Sequence, residues 1–352
     1  MTLLCYLPCT DAQVARLPRR LSEYADWQAA ETELNPFLGK FHWVLQTQLH
    51  LQAAGVDARL TNRLEENGIL YSHVECLPYG LRPSSHQILI AALVDKDVPL
   101  PHAFLHLTHN PVQRLSFFAR YHYLTPWPQV GLIPRSPVRG DRFENIYFMG
   151  NAEHLHPFFS SPSFQDKLLQ LGLKMIVPKP SDWHDFSNAD CVIAIRNFGA
   201  SIAHVQRPAL KLFNAWLART PAILGFESAY RQIGSINSDY LEAQSESEVI
   251  QHLKLLASSV QVRQALIDKG EIRAREITER AIRGQWISLL EDVVYPHFAK
   301  WKSNQVMRAR ALAVGEIREK LSWRFPARFH ENQTATKTFP PIEGVRKPEL
   351  DS

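Results

Sequence analysis

At 352 residues, with 45% hydrophobic and 21% charged residues, the chain has a globular composition and the length of two domains. A formal net charge of +4 is too mild to demand nucleic acid and leaves anionic small ligands or a membrane surface open. The cysteines Cys5, Cys9, Cys76 and Cys191 lack the paired spacing of a zinc site or a secreted disulfide framework, so they read as free buried thiols in a reducing compartment.

The opening "MTLLCYLPCTD" has an apolar run too short for a signal segment and no basic residue before it. No stretch approaches the roughly 20 apolar residues of a membrane span. The expectation is a soluble, cytoplasmic protein.

"LLCYLP" (Leu3–Pro8) reads as a strand, and Asn35, Pro36 and Gly39 as a turn. Phe41, Val44, Leu45, Leu49 and Leu51 then recur at helical spacing until Gly55 stops the helix. "VDARL" (Val56–Leu60) follows as a strand, completing a βαβ order. "GILYSHV" (Gly68–Val74), "QILIAALV" (Gln87–Val94) and "HAFLHL" (His102–Leu107) are mostly continuous apolar runs, as in strands buried on both faces of a parallel sheet. The helices of this half are less distinct than its strands.

Thr125–Arg142, with four prolines and two glycines, is the candidate interdomain linker. Beyond it "NIYFMG" (Asn145–Gly150) predicts a strand, "SFQDKLLQLGL" (Ser163–Leu173) a helix, and "KMIVP" (Lys174–Pro178) and "CVIAI" (Cys191–Ile195) two strands. Pro208 predicts the first turn of a helix that carries Lys211 and Asn214 on one face, with apolar faces to either side. "AIL" continues as a strand and "DYLEA" (Asp239–Ala243) as another; Ser245 and Glu248 form a capping box. From Val260 to about Trp323 the chain reads as helical with breaks near Gly284 and Pro296, and His330–Ser352 reads as disordered.

In open α/β sheets ligands bind beyond the carboxyl ends of the strands. Arg196 ends a strongly apolar strand there, where its guanidinium either grips phosphate oxygens in a planar fork or pairs with Asp182, Asp185 or Glu227. Lys211 sits near a helix N-terminus, a place that favours anions, or else is a solvated lysine. Trp183, beside His184 and Asp185, either stacks on a base or sugar or anchors its loop. Glu227 either meets sugar hydroxyls or partners Arg196.

These residues carry a resemblance. "SNADCVIAIRN" and "NAWLARTPAIL" resemble the aspartate-led strand and the helix-to-strand passage of the C-terminal domain of GT-B-fold glycosyltransferases. "GKFHWVLQTQLHLQAAGVDARL", "ILYSH" and "LHLTHNP" are similar to the glycine loop, helix and histidine-ended strands of the family's N-terminal domain. "ITERAIRGQWISLLEDVV" looks like its closing helices. The likeness spans about residues 1–300 and is nearest to bacterial glycosyltransferase-like proteins that keep W-H-D-[FY]-S-x-x-D and K-L-x-N-A-W-L-A. Asn214 and Gln206 stand where the family commonly has glutamates, which removes the negative charge of the usual nucleotide grip.

The resemblance implies two Rossmann-like parallel-sheet domains facing a cleft: residues 1–130 on the acceptor side, a linker at 131–142 and a donor-binding domain at 143–284. Helices at 285–329 would pack partly back on the first domain, followed by a tail at 330–352. It implies a hexosyl- or related transferase of polysaccharide biosynthesis, moving a sugar from a nucleotide-sugar donor to a glycan or lipid-linked acceptor, with no metal. The donor and its phosphates would fall to Arg196, Lys211, Asn214, Gly39, Trp183 and Glu227. His109 and His73 would be the acid/base candidates, with His42 a third. The alternative is a non-catalytic nucleotide- or glycan-binding protein of the same fold, which the loss of those glutamates motivates. A sugar-nucleotide epimerase would need cleft carboxylates that the sequence does not place. The basic segment Ala299–Phe329, with eight Lys/Arg against two Glu, either contacts an anionic membrane surface peripherally at the inner face or packs with its charges in solvent.

Overall fold

The computed structural model describes residues 1–113, 119–199 and 204–324, the last three of these by their backbone alone. The expectations for 325–352 lie outside the described residues.

Six parallel strands form the first sheet: β1 (Leu3–Tyr6), β2 (Ala58–Thr61), β3 (Gly68–His73), β4 (Gln87–Ala92), β5 (Leu105–Thr108) and β6 (Tyr121–Tyr123), in the order β2-β1-β3-β4-β5-β6. The continuous apolar runs sit at its centre, where β4 is buried along its whole length. β5 starts later than its apolar run suggests, because Leu100–Ala103 closes a turn with Ala103 N donating to Leu100 O. A π-turn at Phe41–Leu45 and a helix at Gln46–Ala53 connect β1 to β2, and Gly55 (φ +81°) ends the helix in the left-handed conformation that glycine tolerates. The described connections from β2 to β5 hold no α-helix, which explains the weak helical signal of this half.

The second sheet is also parallel: β7 (Asn145–Tyr147), β8 (Lys174–Ile176), β9 (Cys191–Ala194), β10 (Ala222–Leu224) and β11 (Leu241–Glu242), in the order β11-β10-β9-β7-β8. Its core is formed around the β9 and β10 side chains and the helix Leu210–Leu217. β7 and β11 are shorter than their apolar runs: Met149–Asn151 leave the ladder after Phe148 N donates to Ile176 O at 3.0 Å, and Tyr240 forms an isolated bridge with Ile236 instead. Between the sheets, Arg135 and Arg139 both bond the buried Asp190 carboxylate, at 2.9 and 2.6 Å, which ties the connecting segment to the second sheet. These hydrogen-bonded cations, with two backbone N–H donors, hold Asp190 below its ordinary range against the opposing effect of burial.

Three local expectations are corrected. Pro208 lies two residues ahead of the helix, whose first residue is Leu210. Ser245 caps Glu248 N, but the Glu248 carboxylate returns to Gln244 N (2.7 Å), so the capping box is only half closed. Gly284 lies inside the helix Glu279–Ser288 and does not break it. Near Pro296 the α-helix does give way, to a π-turn at Leu289–Val294 that runs into the helix Tyr295–Ser303. Further interruptions are at Thr278, whose hydroxyl caps Ala281 N, and at Asn304, whose side chain caps Met307 N at 2.9 Å.

Trp286, Leu290, Val294, Phe298 and Trp301, from the C-terminal helices, share one core with the first sheet. Two parallel-sheet Rossmann-like units with helices returning to the first make the GT-B architecture. Cys5, Cys9 and Cys191 are buried, Cys76 is half-buried, and all four are free thiols.

Candidate functional site between the two sheets

A cavity of about 320 Å³ lies where residues of the two halves meet. Part of its wall follows directly from the carboxyl ends of parallel strands, where the backbone leaves the sheet and side chains are free to face a ligand. Asp95 comes from just beyond β4, while Gly39, His42 and Trp43 come from the long connection between β1 and β2. Phe148, Met149 and Gly150 follow β7, and Arg196 follows β9.

Lys211 rises from the first turn of the helix Leu210–Leu217, and its Nζ donates to Met149 O at 2.9 Å and sits 5.2 Å from the Phe148 ring centroid. Burial, with Arg196 close by, pushes its pKa down to about 8. A Cβ added to Gly150 would stand 3.0 Å from this ammonium, so glycine leaves the space that Lys211 fills. Arg196 pairs with Glu227, Nε to Oε1 at 3.2 Å. The Glu227 carboxyl is buried, its Oε2 has no partner, and burial raises its pKa despite the surrounding cations.

Arg207 is the third cation, and sequence reasoning passed over it. Its signal lay in its place, directly before Pro208 and one turn from Lys211. It bonds Asp95 across the two halves (Nη1 to Oδ1, 2.7 Å), while its backbone O accepts from Asn110 Nδ2 at 3.1 Å. Asn110 also donates to Ser228 Oγ at 2.8 Å. The lining thus holds Arg196, Arg207 and Lys211 against the single carboxylate of Asp95.

Asn214 lines the same cavity, one turn beyond Lys211, and its Oδ1 accepts from Gln129 N at 3.2 Å. Trp183 lines it too, with its indole N–H on Pro178 O and its ring 5.9 Å from that of Phe37. The structure therefore brings Gly39, Trp183, Arg196, Lys211 and Asn214 to one cavity. Glu227 stands behind Arg196 rather than in the lining.

His109 and His73 are placed behind the wall. His109 is 2% exposed, bonds Leu124 O at 2.6 Å and stacks on Trp43; His73 is equally buried and bonds Val94 O at 2.9 Å. His42 is the histidine of the three that lines the cavity, with a buried Nε2 that has no partner. Burial, then the neighbouring His109, holds it neutral with a pKa of about 3. Among the described residues no group of three or more His, Cys, Asp and Glu is arranged to hold a metal ion, and no helix is long and apolar enough to cross a membrane.

No protein-family model matches the chain, and no curated protein does. Solved structures that share its course include HepE of Anabaena in complex with UDP, at a TM-score of 0.48 and 12% identity over 83% of this chain and 100% of that one. A glycosyltransferase from Rickettsia africae matches at 0.47 and 8% identity, over 83% and 98% of the two chains. AviGT4, a glycosyltransferase involved in avilamycin A biosynthesis, matches at 0.44 and 11%, over 76% and 91%. No residue role follows from likenesses of this degree.

Proposed function

We propose that the chain is a glycosyltransferase that moves a sugar from a nucleotide-sugar donor to an acceptor hydroxyl, with the donor diphosphate in the interdomain cavity. One observation carries the reading: three cations, Arg196, Arg207 and Lys211, converge on a cavity at the strand ends with one opposing carboxylate in its lining. In sugar transfer the bond from the sugar's anomeric carbon to the diphosphate oxygen breaks, a bond to the acceptor oxygen forms, and the electron pair leaves with the nucleoside diphosphate. Fixed cations stabilise that charge as it builds, and they do so strongly in a site shielded from water. Lys211 and Arg196 take this role, Arg207 holds the wall through Asp95, and Trp183 offers a ring to the base or sugar. His42, neutral and part of the lining on the first-domain side, positions the acceptor hydroxyl through its unpartnered Nε2. No metal is needed for this chemistry, because protein cations do that work. The acceptor is a glycan or a lipid-linked glycan, and the setting is polysaccharide assembly in the cytoplasm.

A second reading, a non-catalytic nucleotide- or glycan-binding protein, draws on Asn214, whose oxygen is engaged by Gln129 N. A thermal-shift panel of UDP-, GDP- and other nucleotide-sugars, followed by assays of donor hydrolysis and transfer, separates the two. Stabilisation with turnover that disappears in Arg196→Ala and Lys211→Ala is the expected result. Stabilisation without turnover favours the second reading, and no stabilisation by any donor sinks the first reading and the nucleotide-binding form of the second.

A further inference from the structure

A second cavity, of about 520 Å³, lies at the opposite end of the first sheet. Its wall includes the amino-terminal stretch of β4 and the residues just ahead of β5 and β6, closed over by the helices Tyr295–Ser303 and Gln305–Arg324. It is therefore separate from the interdomain cavity, which sits at the carboxyl ends. Volumes of roughly 300–1,000 Å³ suit small ligands.

The lining divides into two chemistries. Leu89, Ala103, Phe104, Trp301, Met307 and Leu312 give an apolar surface, and Arg120, Lys300, Arg310 and Arg318 give four cations with no carboxylate among them. Among the described residues none of the four cations is in an ion pair. The two acidic residues of the covering helix are drawn elsewhere: Glu316 to Arg82 at 3.1 Å, and Glu319 to Arg82 and His102 at 3.7 and 3.4 Å. Arg318 donates one Nη to Pro101 O at 3.1 Å, while its Nε is buried without a partner. Arg120, Lys300 and Arg310 are exposed and Arg318 is half-buried, and a guanidinium nitrogen buried without a partner favours an anion beside it.

The covering helix is fitted to this place. A Cβ added to Gly315 would overlap the His102 ring, so glycine permits the close approach. The aromatic rings are already engaged: His297 stacks on Phe104 at 3.5 Å with the Arg120 guanidinium 5.5 Å from the same ring, and Trp301 is 4% exposed with its N–H on Ser84 O. A nucleobase would find no free stacking partner, whereas an alkyl chain needs none.

We propose that this cavity binds a single-chain amphiphile with a phosphate headgroup, its chain along the apolar wall and its phosphate among Arg120, Lys300, Arg310 and Arg318. The inference rests on this cavity alone and is independent of the sugar-transfer reading.

The test is calorimetric titration of the full chain with oleoyl lysophosphatidic acid below its micellar concentration, beside monoolein (the same chain without charge) and glycerol phosphate (the head without chain). The expected result is binding of the lysophosphatidic acid, with both controls weaker by about tenfold or more. The double variant Arg310→Gln, Arg318→Gln should lose about tenfold in affinity while keeping its circular dichroism. If that variant does not fold, Ala311→Trp replaces it, since it adds bulk to the cavity from an exposed position on the helix. Equal binding of glycerol phosphate would reduce the site to an anion hole, and equal binding of monoolein would remove the charge from recognition. Either result overturns the proposal, as does the absence of lysophosphatidic acid binding or an affinity that neither variant changes. Attachment to anionic vesicles without uptake of the monomer also overturns it, because it would make the basic helix a surface contact.

Discussion

Arg196 and Glu227 form an ion pair at the back of the interdomain cavity, with the carboxylate almost wholly buried and one of its oxygens unpartnered. The pair tunes the cavity's charge as well as holding it together, so its two halves respond differently to substitution. Arg196→Ala leaves a buried carboxylate alone and removes a phosphate ligand. It should cost about 3 kcal/mol of stability and weaken nucleoside-diphosphate binding at least tenfold. Glu227→Gln keeps an acceptor for Arg196 but adds one positive charge to the cavity's balance. It should tighten the same ligand severalfold, on the order of 1 kcal/mol. Calorimetry with UDP and GDP beside denaturant melts gives both readouts, and weaker binding in Glu227→Gln would remove the electrostatic account.

Lys211 makes ligand binding pH-dependent in a defined window. Its pKa of about 8 in the free protein means that it loses its proton between pH 7 and 9, and a bound diphosphate favours the protonated form. Affinity should fall as pH rises through 8 and stay flat across that window in Lys211→Met, which should bind more weakly at pH 7. For stability the sign is opposite. The unfolded lysine titrates near 10.5, so between about 8 and 10.5 the unfolded chain binds more protons, and stability rises with pH there. The cost of burying the cation is fully present below 8, so Lys211→Met should gain in melting temperature relative to wild type at pH 7 and lose that advantage above pH 10. A pH series of melts on both proteins checks this.

His42 should separate chemistry from donor binding. It comes from the first-domain side of the cavity, whereas Arg196 and Lys211 come from the second. His42→Gln should lower the transfer rate by about a hundredfold, through a misplaced acceptor, and leave donor affinity within about twofold. A parallel fall in affinity would make His42 a part of the donor pocket instead.

The sequence was legible where one periodicity and one neighbour decided the outcome. The buried strands read as continuous apolar runs because both sheet faces are covered, and Arg196, Lys211 and Asn214 were found because strand ends and first helical turns face the cleft. Partnerships across more than about 30 residues were not legible. Glu227 was one of three candidates for Arg196, and only the fold selects it, bringing β9 and β10 together. Arg207 and Asp95 stand 112 residues apart, so nothing local marks them as a pair. His109 and His73 looked exposed because they end strands, but each ring turns back to a neighbouring backbone carbonyl, Leu124 and Val94. Asn214 illustrates both sides. Its face was readable, but its bond to Gln129 N comes from the segment between the sheets. Asn214→Ala should therefore lower stability by about 1 kcal/mol, and a melt of the apoprotein reads this without any ligand.

The buried histidines set the acid limit of the fold. His50, His106 and His109 are each 2% exposed or less, and burial pushes them down to about 3, 4 and 4. In the unfolded chain each takes up a proton near pH 6.5. Between these values the unfolded state binds more protons, so stability is lost as pH falls through 6.5, by at most about 1.4 kcal/mol per pH unit for each histidine. Over the step from 6.5 to 5 the three together reach about 5 kcal/mol, comparable with the whole stability of many domains. Urea titrations at pH 7, 6 and 5 should show the midpoint falling steeply. His106→Gln removes one such group, so its loss between pH 7 and 5 should be about 2 kcal/mol smaller than that of wild type, whatever its starting stability. A midpoint independent of pH over this range would mean that the buried rings reach water as freely in the native protein as in the unfolded one.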